Sequence, residues 1–282
     1  MKLFKQAADL HSHLTKASAR SKTKGFVPTM GALHQGHISL LELSKKQCEI
    51  SICSIFVNPT QFNNKKDFEN YPITIGNDIL LLEKAGCDIL FLPQAVEIYP
   101  QGTENLPHYD LGNLENVLEG SYRPSHFQGV CQVVHKLLNI VSPDFLFLGQ
   151  KDFQQCMVLK RLIEIIQSPI QLILGETLRE NSGLAMSSRN QRLTESQKQQ
   201  AVAIYQMLTY IKQNIHAIHP NELCAYATQF LLSHGFNKVD YVAIAEPSSL
   251  ATIDEINHNP SVALIAAFIG EVRLIDNMRV NG

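Results

Sequence analysis

Residues 26–37 read Phe-Val-Pro-Thr-Met-Gly-Ala-Leu-His-Gln-Gly-His. The apolar start predicts a strand that ends at Pro28, because proline cannot donate a hydrogen bond to a sheet. Gly31 and Gly36 predict a loop, and a helix-forming segment begins near His37. Backbone N–H groups at the start of a helix bind phosphate, and glycines let phosphate oxygens come close to the chain. The stretch therefore predicts a strand, a phosphate-binding loop and a helix start.

The two histidines of this stretch are three residues apart, so an early helix start places His34 and His37 on one face of its first turn. Imidazoles there can donate to charge that develops on a phosphoryl group. A lone His-x-x-His is more often a pair of solvated cap residues, so the motif needs support from elsewhere in the chain. Two common nucleotide motifs are excluded. There is no Gly-x-Gly-x-x-Gly, and His37 and Ile38 stand where a Walker loop has Lys and Ser/Thr.

The rest of the first 177 residues alternates between strand and helix patterns. An amphipathic helix is expected within residues 1–24. Further strands are predicted at 50–57, 88–92, 145–148 and 170–174, and helices at 77–85, 128–141 and 153–167. Such alternation predicts a parallel sheet covered by helices on both faces. The predicted fold class is α/β, with a Rossmann-like N-terminal domain over residues 1–177.

Three groups of polar side chains each follow the carboxyl end of a predicted strand: His34 and His37; Asn58 and Gln61; and Lys151, Asp152 and Gln155. Because ligands of open α/β sheets bind at these ends, we expect the three groups to meet at one site. Residues 60–75 form a polar loop of unusual length, which is typical of a lid or binding loop.

The composition changes after Gly175, and residues 178–282 predict a smaller α+β C-terminal domain. Residues 179–190 contain two hydroxyls and a guanidinium suited to phosphate oxygens, although a solvated interdomain linker would look similar. Thr194 and Gln197 match a capping box for a helix that reaches about Ile215. A second helix at 220–235 and strands at 239–245, 262–269 and 271–277 complete this part.

The bulk properties exclude several classes of protein. A net charge of -2 without a Lys/Arg cluster argues against a nucleic-acid partner. The apolar runs are shorter than the roughly 20 residues that a bilayer span needs, and no secretory signal is visible. Six cysteines occur without a Cys-x-x-Cys pair. They indicate a reducing, cytoplasmic location and no structural zinc.

The ordered motifs resemble the pantoate:β-alanine ligases, a family within the nucleotidyltransferases that carry a His-x-Gly-His signature. The resemblance covers nearly the whole chain. It rests on residues 28–37, 56–62, 118–120, 123–130, 151–155, 186–190 and 273–277. It implies an ATP- and Mg²⁺-dependent condensation of pantoate with β-alanine, through a pantoyl adenylate, to give pantothenate, AMP and pyrophosphate. It also implies a homodimer.

The resemblance further implies roles for individual residues. ATP would contact Met30, His34, His37, Gly149, Lys151, Asp152, Met186, Ser187, Ser188 and Arg189. Pantoate would contact Gln61, Gln155, Asn58 and Met30. The catalytic residues would be His37, His34 and Lys151. No metal ligand is assigned, although Asp78 is a candidate whose alternative role is at a helix start.

Two other functions stay open at the level of sequence. The chain could transfer AMP or CMP to a phosphate acceptor, or it could bind a nucleotide without turnover. Gln61 and Gln155 favour a hydroxy acid over a phosphate acceptor, because a phosphate calls for more Arg or Lys. The presence of every expected polar residue disfavours a binding-only module.

Overall fold

A parallel sheet forms the first half of the molecule in the computed structural model, which describes residues 1–18, 21–62, 68–69, 71–256 and 259–281. Its strands are β1 (Lys2–Phe4), β2 (Lys24–Thr29), β3 (Ile50–Ile55), β4 (Ile89–Phe91), β5 (Phe145–Gly149) and β6 (Gln171–Gly175). They lie in the order β1-β4-β3-β2-β5-β6, and all neighbours are parallel. The predicted α/β class is confirmed.

Helices cover both faces of this sheet. They are α1 (Ala7–Ser18), α2 (Gln35–Gln47), α3 (Ile75–Lys84), α4 (Ala95–Ile98), α5 (Glu119–Tyr122), α6 (His126–Val141) and α7 (Phe153–Ile165). Successive residues of a strand point to opposite faces. Phe26 accordingly packs with side chains of α1, α6 and α7. Its neighbour Val27 packs with Leu40 of α2 on the other face, where a further apolar cluster joins α2 to α3.

The N-terminal strand differs from the sequence prediction. A helix was expected within residues 1–24, but Lys2–Phe4 pairs with Ile89–Phe91 as the edge strand β1, and the helix begins only at Ala7. Three residues are too few to show the alternation of a strand, so the pattern of the helix that follows dominated the prediction.

Strand β2 also extends further than predicted, because it includes Pro28. The carbonyl of Thr29 accepts from the N–H of Phe56, on the side of β3. Since successive residues alternate between sides, the Pro28 nitrogen faces β5, and that pairing has already ended at Phe26. No hydrogen bond of the ladder is lost there, so the proline is tolerated inside the strand.

A smaller antiparallel sheet forms the second half, with β7 (Lys238–Ala245), β8 (Ser261–Ile269) and β9 (Val272–Asn281) in sequence order. Helices α8 (Glu195–Asn214) and α9 (Pro220–Ser233) share an apolar cluster with it. The predicted capping box is confirmed, because Thr194 and Gln197 each accept from the other's backbone N–H. Within the described ranges, none of the helices is long and apolar enough to cross a membrane.

The long loop predicted at residues 60–75 is described only in part. It begins with a 3₁₀ turn at Pro59–Gln61, directly after β3. Residues 63–67 and 70 lie outside the described residues. The segment between β4 and α6 contains the short helices α4 and α5.

Candidate active site

One cavity, at the carboxyl ends of β2, β3 and β5, brings together all the residues that the sequence assigned to substrates. Its lining includes Met30, His34, His37, Asn58, Gln61, Gly149, Lys151, Asp152, Gln155, Met186, Ser187, Ser188 and Arg189. Four separate stretches of chain contribute these residues. The expected convergence of the polar groups at one site therefore occurs.

The two histidines form a capping box at the start of α2. The backbone N–H of Gly36 donates to Nδ1 of His34 over 3.2 Å. The backbone N–H of His34 donates to Nδ1 of His37, also over 3.2 Å. A backbone N–H can only donate, so both neutral rings carry their hydrogen on Nε2. The rings are tilted at a centroid distance of 4.1 Å, and together they offer two Nε2–H donors.

Both imidazoles are held in the neutral form. Burial and the nearby Lys151 lower the pKa of His34 to about 4. Burial and the neighbouring His34 lower the pKa of His37 to about 3. At neutral pH the pair can therefore stabilise an anion by hydrogen bonding without changing its own charge.

The loop before these histidines is supported by Asp78, in the first turn of α3. Gly31 and Ala32 both have positive φ, at +85° and +48°. The carboxylate of Asp78 accepts the N–H of Ala32 over 3.0 Å and the N–H of Leu33 over 2.8 Å. The hydroxyl of Thr74 also donates to it. The carboxylate thus stabilises the left-handed conformation of the loop between β2 and α2.

The turn after β3 packs closely against α6 and carries Gln61 into the cavity. Asn58 donates from Nδ2 to Oε1 of Gln61 over 3.2 Å and to the carbonyl of Gly129 over 3.0 Å. The buried ring of His126 contacts the carbonyl of Gln61 through Nδ1 at 2.7 Å. Because a carbonyl only accepts, Nδ1 is the protonated nitrogen of His126.

Lys151 supplies a cation to the cavity from the turn after β5. Its Nζ lies 3.6 Å from the Asp152 carboxylate. Burial alone would raise the pKa of Asp152, but Lys151, Arg189 and Arg123 around it lower the pKa below its ordinary value. The carboxylate is therefore ionised. The side-chain amide of Asn277, on β9, donates to the backbone carbonyls of Gln150 and Lys151 over 2.9 and 2.8 Å.

Residues 186–189 close the cavity from the second half of the chain. The hydroxyl of Ser187 accepts the N–H of Arg189 and so caps the 3₁₀ turn Ser188–Arg192. The chain that leads to residues 186–189 is anchored to β9 by Arg179, whose guanidinium pairs with Asp276 through two nitrogens. Ser187, Ser188 and Arg189 thus line the same cavity as Lys151.

An ion pair joins the second sheet to the same wall. Arg273 of β9 donates to both oxygens of Glu119, over 2.7 and 2.8 Å, and also to Asp240 over 2.7 Å. Burial would raise the pKa of Glu119, but Arg273 lowers it below its ordinary value. The buried carboxylate therefore stays charged and paired.

Sequence reasoning did not assign Arg123 and His126 to the site, although both line the cavity and fall within a quoted motif. Both lie in the segment immediately before or at the start of α6. The available signal was an Arg-x-x-His next to a predicted helix start. Apolar side chains of α6 complete the wall near Gln61: Val130, Val133, Val134 and Leu137.

Comparison with known proteins points to one family. A family model described as pantoate-beta-alanine ligase matches residues 2–279. A protein from Porphyromonas gingivalis named pantothenate synthetase is 40% identical over 282 residues, with 99% of each chain covered. Another of that name, from Marinomonas sp., is 42% identical over 283 residues, again with 99% of each chain covered.

The structural similarities agree. The fold superposes on pantothenate synthetase from Thermus thermophilus with a TM-score of 0.93, at 33% identity and with both chains fully covered. Pantoate-beta-alanine ligase from Francisella tularensis, solved in complex with beta-gamma ATP and beta-alanine, gives a TM-score of 0.83 at 36% identity. That match covers 99% of this chain and 97% of the other.

Proposed function

The chain belongs to the pantoate-beta-alanine ligase family, and we propose on that premise that it condenses pantoate with β-alanine at the expense of ATP. The products are pantothenate, AMP and pyrophosphate, and the intermediate is pantoyl adenylate. The observation that carries the proposal is the single cavity that gathers two neutral imidazoles, a lysine and three side-chain amides.

In the first half-reaction, a carboxylate oxygen of pantoate attacks the α-phosphorus of ATP, and the bond to pyrophosphate breaks. The Nε2–H groups of His34 and His37 donate to the non-bridging oxygens, where negative charge increases in the transition state. Lys151 contributes a positive charge on the other side. Ser187, Ser188 and Arg189 hold the outgoing phosphates. Such a reaction depends mainly on positioning and electrostatic stabilisation rather than on acid–base chemistry.

In the second half-reaction, the amine of β-alanine attacks the acyl carbon of the adenylate. The C–O bond to AMP breaks and the amine loses its proton as the amide forms. Gln61 and Gln155 keep the pantoyl group in place through both steps. The apolar wall of α6 excludes water from the same region, which protects a reactive acyl adenylate from hydrolysis.

Magnesium enters this scheme as part of the nucleotide substrate. Among the described residues, no three or more His, Cys, Asp or Glu side chains are grouped in a way that could hold a metal ion. Mg²⁺ commonly binds through substrate phosphates and keeps several waters, so it needs no protein cage. We propose that ATP binds as its Mg²⁺ complex, with the Asp152 carboxylate beside the ribose.

The acceptor side of the cavity favours a hydroxy acid over a phosphate. The side-chain amide of Gln61 lies 2.8 Å from Sδ of Met30 and is bonded to that of Asn58, and Gln155 lines the same cavity. A phosphate acceptor would call for charge-assisted contacts from Arg or Lys at this position. The ligase is therefore favoured over a nucleotidyltransferase.

Exchange of labelled pyrophosphate into ATP tests the proposal directly. The assay contains Mg²⁺ and pantoate but no β-alanine. Exchange that depends on pantoate is the expected result, because formation of the adenylate is reversible. Absence of exchange in a folded protein that binds ATP would overturn the adenylate mechanism.

The proposal includes the organisation of the chain. Residues 1–177 bind ATP and pantoate, and residues 178–282 act as a smaller lid. A homodimer is supported by exposed apolar side chains in and before α3, namely Ile73, Ile75 and Leu80. Light scattering should then give twice the chain mass of 31.6 kDa. A reducing, cytoplasmic location is supported by the six free cysteines.

A further inference from the structure

A buried tyrosine stands behind the acceptor side of the cavity. The hydroxyl of Tyr99 donates to Oδ1 of Asn58 over 2.8 Å. Both side chains are removed from solvent, with 5% of Tyr99 and 1% of Asn58 exposed. Tyr99 is not among the described residues that line the cavity. Its hydroxyl can therefore act on a substrate only through its neighbours, of which Asn58 is closer than Thr60, whose hydroxyl lies 3.4 Å away.

The amide of Asn58 has one allowed orientation, because two of its partners cannot reverse their roles. The N–H of Thr60 only donates, and it faces Oδ1 at 3.4 Å. The carbonyl of Gly129 only accepts, and it faces Nδ2 at 3.0 Å. A Cβ on Gly129 would lie 2.4 Å from the carbonyl oxygen of Thr60, so only glycine allows α6 to come this close. The shortest of the contacts to Oδ1 is the one from Tyr99.

The orientation of Asn58 determines that of Gln61. Because Nδ2 of Asn58 donates to Oε1 of Gln61, the oxygen end of that amide is occupied. The nitrogen end points the other way and lies 2.8 Å from Sδ of Met30, at the cavity. Gln61 therefore presents N–H donors to whatever binds there. A hydroxy acid carries hydroxyl and carboxylate oxygens that accept such hydrogen bonds.

We propose that Tyr99 is a positioning residue for the hydroxy-acid substrate, acting through Asn58 to hold the donor end of the Gln61 amide toward the cavity. This inference rests on the proposed function, since it assigns a role in binding pantoate. Burial raises the pKa of the Tyr99 hydroxyl above its ordinary value, so the hydroxyl stays protonated and donates at neutral pH.

The first test is Tyr99→Phe, which removes the hydroxyl and keeps the ring. A net hydrogen bond is worth enough to change an equilibrium by about 3- to 10-fold. The KM for pantoate should rise by that factor, while the KM for ATP stays within about twofold. Equal changes in both constants, or no change in either, would overturn the inference.

Tyr109→Phe is the matched control. Tyr109 is 6% exposed, and its hydroxyl contacts Nδ1 of His135 at 2.7 Å, away from the cavity. Both variants lose one buried phenol hydroxyl, so both should lose stability in thermal unfolding. Only Tyr99→Phe should change the KM for pantoate. A similar change in Tyr109→Phe would assign the effect to general loosening of the core and overturn the inference.

A double-mutant cycle with Gln61→Ala tests whether Tyr99 acts on the substrate through Asn58 and Gln61. If Tyr99 acts through Gln61, adding Tyr99→Phe to Gln61→Ala should leave kcat/KM for pantoate unchanged within about twofold. Additive losses would overturn the inference. Pyrophosphate exchange by the wild type distinguishes a failure of the proposed function from a failure of the role proposed for Tyr99. Without pantoate-dependent exchange in the wild type, the proposed function itself fails. If the wild type shows such exchange and Tyr99→Phe has the same KM for pantoate in that assay, only the role of Tyr99 is contradicted.

Discussion

Each imidazole at the start of α2 accepts one backbone N–H and has one donor left for the cavity. This arrangement ties catalysis to helix capping, because the same hydrogen bonds that begin the helix also select the tautomer. A charged imidazolium would break its own cap by protonating Nδ1. The neutral state is therefore both the structural and the functional state of His34 and His37.

We expect His37→Ala to lower kcat by about 10²- to 10³-fold, the usual cost of losing a transition-state donor. The KM for ATP should change much less, because the contact strengthens in the transition state. His37→Gln should retain more activity than His37→Ala, since its side-chain amide can donate from a position close to Nε2. Steady-state kinetics of both variants check this, and identical losses would exclude a donor role.

The stability of the protein should depend on pH through His126. Burial, followed by the charge of Arg123, lowers its pKa from 6.5 to about 3. Below pH 6.5 the unfolded chain binds a proton that the folded chain does not, so stability falls as the pH falls. This one group should contribute a slope of about 1.4 kcal/mol per pH unit between pH 6 and 4.

Urea unfolding at several pH values measures that slope in the wild type and in His126→Asn. Asparagine can still donate to the Gln61 carbonyl but does not titrate. The variant should show the smaller loss of stability on acidification. Parallel curves for the two proteins would contradict the assignment.

Among the elements, the loop between β2 and α2 depends most on a distant residue. Asp78→Asn replaces an acceptor oxygen with an amide nitrogen that faces the backbone N–H of Ala32 or Leu33. One buried donor is then left unpaired, at a cost of about 2 kcal/mol in the free energy of unfolding. The left-handed conformation at Ala32 loses its support, so we also expect kcat to fall as His34 is displaced.

Urea unfolding and pyrophosphate exchange measure the two effects. Asp110→Asn is the control, because Asp110 is exposed and accepts a single backbone N–H, from Gly112. This surface variant should behave like the wild type. An Asp78→Asn protein with wild-type stability would show that the loop does not need the carboxylate.

Most elements could be predicted from the sequence because their patterns are long enough to show a period. Helix α6 and strands β3 and β8 are examples. Strand β1 was missed because three residues show no alternation. The end of β2 was predicted too early because a proline is tolerated at position 28 only where the pairing with β5 has already stopped. The residue at which that pairing stops is set by the arrangement of strands in the sheet and cannot be found in the local sequence.

The residues of the cavity could be predicted for a related reason. Strand ends in a parallel sheet meet at one edge, so His34, Gln61 and Lys151 can be placed together from the order of elements alone. Their supporting residues could not. Tyr99, Asp78 and Asn277 lie 41, 46 and 126 positions from partners that they contact, and no periodicity links such distant residues.

At the scale of the whole molecule, a buried ion pair links the second sheet to the short helix α5 of the first half of the chain. Glu119 is 6% exposed and relies on Arg273 for its charge. Arg273→Ala should destabilise the fold by about 3–5 kcal/mol, because it leaves a buried carboxylate without its cation. Arg273→Lys should lower the free energy of unfolding by less, although lysine cannot make the bidentate contact with Glu119. Urea unfolding compares the two variants with the wild type.

A double variant that also changes Glu119 provides the control for Arg273→Ala. Glu119→Gln combined with Arg273→Met removes both charges and should recover a large part of the stability lost in Arg273→Ala. An Arg273→Ala protein that loses less than about 1 kcal/mol would show the pair to behave like a solvated surface contact.

The contact from Asn277 to the carbonyls of Gln150 and Lys151 has a consequence for biosynthesis of the protein itself. A chain still attached to the ribosome can already contain the paired imidazoles, the amides of the acceptor side and the lysine. It lacks the side chain that fixes the lysine turn until Asn277 has been translated, 126 positions after Lys151. Until then, the turn that carries Lys151 has no such support from β9.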